Sequence, residues 1–129
     1  MSYFFAKTLE RPFDESRTYV EEQLKQFGFG IVSEIDMDKK FKEKLNKDFR
    51  RYKILGACSP KHAYAAVSAE KHIGLMLPCN VTLQEKSKSE TEVAVIDPIA
   101  SMQAVDNADL APVATEIRAK LKAFISGLE

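Results

Sequence analysis

The chain has 129 residues, 45% of them hydrophobic and 29% charged, which is enough apolar material for one real core and argues against disorder. Lys+Arg and Asp+Glu both count 19, so the net charge is zero and the long-range attraction used by non-specific nucleic-acid binders is absent. No apolar run approaches the ~20 residues of a membrane helix, and the start, Met1 to Lys7, does not read as a secretory leader. Two cysteines in such a chain point to reduced thiols and a cytoplasmic setting rather than to a disulfide framework.

In chain order, Tyr3 to Thr8 is an aromatic run that reads as a strand. Arg11-Pro12 opens a helix whose apolar stripe is Phe13, Val20, Leu24 and Phe27, with Gly28 where a helix end favours a left-handed residue. Phe29 to Ile35 follows as a strand. Asp36 is placed to cap a short helix carrying Phe41 and Leu45 among lysines.

Tyr52 to Cys58 reads as a third strand. Ser59-Pro60 then marks a helix start, with the hydroxyl expected to cap and proline occupying the first helical position. That helix runs through Ala63, Ala66 and Val67 and ends before Gly74. Cys79 to Glu85 and Glu92 to Ile96 form a hairpin around the polar turn 86–90. The last helix aligns Leu110, Val113, Ile117, Leu121, Phe124 and Leu128 on one face, with Gly127 near its end. The order β-α-β-α-β-α-β-β-α predicts an α+β fold over residues 1–129, a single domain with a mixed or antiparallel sheet covered by helices.

The residues that could carry chemistry gather at two turns, Ala57-Cys58-Ser59-Pro60 and Leu77-Pro78-Cys79-Asn80. Strand alternation puts Cys79 on the apolar face with Val81 and Leu83, as a small buried hydrophobe. Cys58 is open to two readings. At a strand end before a helix N-terminus, with Lys61 and His62 in the next turn, it is either a reactive or ligand-contacting thiol or a small residue packed under the turn. Folding the hairpin about Lys88-Ser89 brings Asp97 opposite the Cys79-Asn80 region. Asn80 and Asp97 then form a polar pair at one sheet end, flanked by Pro78 and Pro98, unless each merely binds local backbone.

Other chemistries find less support. The spacings Cys58-x3-His62 and His72-x6-Cys79 are not those of a structural zinc module, so no metal is expected. No strand is followed by a Gly-rich phosphate loop, and no Gly-x-Ser-x-Gly elbow is present. The basic stretch from Lys39 to Lys53 is interleaved with Asp36, Asp38, Glu43 and Asp48, and reads as a solvated face.

The run Tyr52-Lys-Ile-Leu-Gly-Ala-Cys-Ser-Pro60, then Gly74-Leu-Met-Leu-Pro-Cys-Asn80, then Val93 to Asp97-Pro98, resembles the family called domain of unknown function 302, and the likeness extends over most of residues 1–100. The resemblance implies a cytoplasmic α+β homodimer with no established reaction; no cofactor is expected. It makes Gly56, Cys58, Pro60, Gly74, Pro78, Cys79, Asn80, Asp97 and Pro98 signature positions. Ser59 departs from the family, which more often has Asn there, although Ser caps a helix equally well. Three functions follow for test. One is a binding module for a small ligand or partner, contacted by Cys58, Ser59, His62, Asn80 and Asp97. The second is a thiol-dependent redox enzyme or sensor using Cys58. The third is a homodimer serving structure alone, with neither nucleic acid nor membrane as partner.

Overall fold

Five strands form one antiparallel sheet in the order β1-β5-β4-β3-β2, in a computed structural model that describes residues 2–129. The strands are β1 (Phe4–Leu9), β2 (Gly30–Asp36), β3 (Tyr52–Cys58), β4 (Cys79–Ser87) and β5 (Glu90–Ile96). The helices are α1 (Phe13–Gln26), α2 (Met37–Leu45), α3 (Pro60–Ala69), the single turn α4 (Pro98–Ser101) and α5 (Ala111–Ser126). Strands 2 to 5 follow one another across the sheet, and β1 closes it by pairing with β5. The expected α+β architecture is present, and of the two sheet types foreseen it is the antiparallel one.

Alternation decides which face is covered. Leu55 and Ala57 of β3, Val81 and Leu83 of β4, and Val93 and Val95 of β5 are all buried under helices. Val20 and Leu24 of α1, with Leu121 and Phe124 of α5, complete this core. Each buried Val, Leu or Phe of this set contributes about 1.5–3 kcal/mol relative to exposure. The opposite face carries Phe4 and Asn80 exposed, and Ile54, Thr82 and Ala94 half-buried. An antiparallel sheet tolerates one uncovered face in this way.

Local signals behave as the sequence predicts at several ends. Gly28 has φ +85° after α1, and its amide donates to the Lys25 carbonyl. The hairpin turns tightly at Lys88-Ser89, with Ser87 opposite Glu90.

Two caps differ from expectation. Asp36 occupies the position before α2, but its carboxylate makes no cap bond and instead faces Lys53 at 3.4 Å and Lys39 at 3.6 Å. Ser59 occupies the position before α3 and likewise does not cap. Lys53 corrects a third expectation. It is not part of a solvated face but is buried on the helix side of β3, its Nζ 2.6 Å from Glu34, because a buried ammonium must find an anion.

Candidate functional site

The two turns meet because β3 and β4 pair, with Ala57 opposite Cys79 and Gly56 opposite Asn80. Beneath them lies a cavity of about 270 Å³. Its floor is Phe29, Ala57 and Cys79 from the strand side. One wall is the Ala63–Ala66 face of α3, where only small side chains leave room, and the other is Val113, Ala114 and Ile117 of α5. Leu77, Pro78 and Met102 close one end. A bulge in β2 between Ile31 and Ser33 leaves Val32 at the rim, 64% exposed. A second buried cluster of Ala66, Ile73 and Leu110 holds α3 against the segment leading into α5.

The polar groups of the cavity lie at the start of α3. Ser59 Oγ is 2.7 Å from His62 Nδ1, so the hydroxyl that was expected to cap binds the imidazole instead. His62 is nine-tenths buried. Its Nε2 lies 3.0 Å from Glu116 Oε1 of α5, an ion-pair distance, yet among the described residues Nε2 has no hydrogen-bond partner of good geometry. Contact with the imidazole holds the Glu116 carboxyl below its ordinary range, with Lys120 and Lys61 adding positive charge nearby.

A carboxylate beside Nε2 favours the proton on that nitrogen. Nδ1 is then the acceptor of the Ser59 hydroxyl. Glu116 carries no sequence motif. Its only advance sign was its position on α5 one residue before the apolar Ile117, which puts it at the edge of the packed face.

The remaining sequence candidates separate. Cys58 and Cys79 both line the cavity. Burial pushes the Cys79 thiol up to about 11, with the neighbouring Cys58 adding to the shift, so Cys79 is held neutral. Asn80 does not join them: as the next residue along β4 it emerges on the uncovered face with Thr82 and Gln84. Asp97 is buried, and its Oδ1 accepts from the Ile99 amide while its Oδ2 accepts from Arg118 Nε, each at 3.0 Å. The expected Asn80–Asp97 pair is therefore divided between the two faces of the sheet. Alternation sends adjacent positions opposite ways, and Asp97 continues the register that places it against Cys79 rather than Asn80. His72 is exposed and outside the cavity lining.

Among the described residues no helix is long and apolar enough to cross a membrane. The family model described as "Domain of unknown function DUF302" matches residues 5–128. The crystal structure of an uncharacterized conserved DUF302 protein from Bacillus stearothermophilus shares the fold, with a TM-score of 0.88 over 98% of each chain at 24% identity. No curated protein matches the chain.

Proposed function

The chain belongs to the DUF302 family, and from its cavity we propose that it is a binding module for a small, largely apolar molecule that carries one polar group. The observation behind this reading is the contrast inside the 270 Å³ cavity: apolar walls from Phe29, Ala66, Val113 and Ile117, with Ser59 and His62 together at one end. An apolar cavity of about 150 Å³ already accepts a ligand the size of benzene. Sites of this kind combine hydrophobic lining with a few placed polar atoms. Cys58 and Cys79 are free thiols, which suits a reducing cytoplasm.

Native mass spectrometry of freshly purified protein tests the reading. A small-molecule adduct is expected on the wild-type chain and is expected to be lost in Ala63→Phe, which fills the space beside α3. Ala63→Leu adds less bulk and serves if the larger variant fails to fold. No adduct on the wild-type chain, or one that both variants retain, overturns the proposal.

A second reading concerns partners. The uncovered sheet face carries Phe4 and Ile35, each 42% exposed, and supports pairing with a second copy, as the family resemblance implies. Light scattering on wild type and Ala94→Lys, which sets a charge in the middle of β5 on that face, is expected to give a dimer and a monomer respectively. A monomeric wild type, or a variant that stays dimeric, removes this reading.

A further inference from the structure

We infer that Ser59, His62 and Glu116 form a hydrolytic relay, and that the cavity beside them takes the acyl chain of a small carboxylic ester. The inference rests on the binding reading above, because the same cavity would hold the substrate.

The geometry has the parts that acyl transfer requires. Ser59 Oγ is 2.7 Å from His62 Nδ1, within reach for passing a proton. Glu116 Oε1 stands 3.0 Å from Nε2 on the far side of the ring, where its charge stabilises an imidazolium. Ser59 is half-exposed and lines the cavity together with His62. The first helical bond of α3 runs from the Ala63 amide to the Ser59 carbonyl at 2.9 Å, which leaves the Lys61 and His62 amides outside the helical ladder at the positive end of the helix. Amides so placed suit a developing oxyanion. Glu116 faces the ring from α5, Lys61 and Lys120 place positive charge near Glu116, and the thiols of Cys58 and Cys79 line the same cavity.

The step balances with water as the only co-reactant. Ser59 Oγ bonds to the ester carbonyl carbon as its proton passes to Nδ1. The ester C–O bond then breaks, and the leaving alcohol takes that proton. Water, deprotonated by Nδ1, attacks the acyl-serine. Ser59 recovers its proton and a carboxylic acid leaves. Glu116 acts through the ring and is a positioning residue.

Incubation of the full chain with p-nitrophenyl butyrate, followed by intact and peptide mass spectrometry, is the test. A butyryl group on Ser59 is expected in wild type and in Cys58→Ala, and none on residue 59 in Ser59→Ala. His62→Gln is expected to slow nitrophenol release by about 10²-fold. Glu116→Gln is expected to lower kcat for nitrophenol release with KM unchanged, since the carboxylate acts on the ring and not on bound ester; a KM change alone, or no change, removes Glu116 from the relay. Acylation found on Cys58 or His62 instead of Ser59, or release unchanged in Ser59→Ala, overturns the relay. A cavity that keeps its co-purifying adduct in a chain that butyrate ester never acylates overturns the relay while leaving the binding reading standing.

Discussion

The ring of Pro78 lies over Gly56, so that a Cβ at position 56 would come within 2.6 Å of Pro78 Cγ and 2.2 Å of Ser33 Oγ. This close approach lets the turn before β4 lie flat on β3 and brings Pro78 and Cys79 to the cavity edge. The Ser33 hydroxyl is able to rotate away from an added methyl, but the proline ring is rigid. Gly56→Ala is therefore expected to destabilise the fold by about 1–3 kcal/mol through overpacking. A urea denaturation series comparing the midpoints reads this directly, and an unchanged midpoint refutes it.

Asp97 ties two elements that differ in their dependence on charge. Its Oδ1 caps the turn of α4 and its Oδ2 holds Arg118 of α5. Asp97→Ala removes both and is expected to cost about 1–3 kcal/mol, because a cap is lost and the Ile99 amide is left without its acceptor. Asp97→Asn keeps an acceptor oxygen for the cap and should cost less. Thermal melts of the two variants rank them, and an asparagine variant as unstable as the alanine one would place the energy in the Arg118 pair.

Glu34 predicts a specific acid limb in stability. The hydrogen bond from Arg17, and then that from Lys53, hold its carboxyl down at about 2. A folded value below the ordinary one means that the contribution is complete above about pH 4.5 and fades as pH falls toward 2. Wild type is expected to exceed Glu34→Gln in stability at neutral pH, with the gap closing across that window. Denaturation at a series of pH values measures the gap, and a constant gap contradicts the pairing.

The two thiols should separate in reactivity. With its pKa near 11, Cys79 has about one part in a thousand thiolate at pH 8. Iodoacetamide at that pH is expected to leave Cys79 unmodified in the folded protein and to reach it in urea. Peptide mass spectrometry locates the adducts, and rapid labelling of native Cys79 would contradict its burial.

Much of the architecture was legible in the sequence because it depends on short-range rules. Period-two alternation from Cys79 put Val81 and Leu83 on the core face, and the Lys88-Ser89 turn brought Asp97 near Cys79. Ser59-Pro60 marked the start of α3, and Gly28 the end of α1. These features involve neighbours in the chain, whose geometry is set by backbone sterics alone.

What the tertiary structure decided was where polar side chains find their partners. Ser59 and Asp36 both stand where caps stand, yet each turns to a stronger partner, His62 in one case and Lys53 in the other. Asn80 and Asp97 are close along the sheet but lie on its opposite faces. Glu116 reaches His62 across 54 residues of chain, and the cavity exists only where α3 and α5 flank the β3–β4 pair. A charge or a hydroxyl takes the best partner that packing delivers, and packing is a property of the whole chain. The two turns were visible from the residues alone; the space between them, and the side chains facing it, came from helices that no local pattern connects.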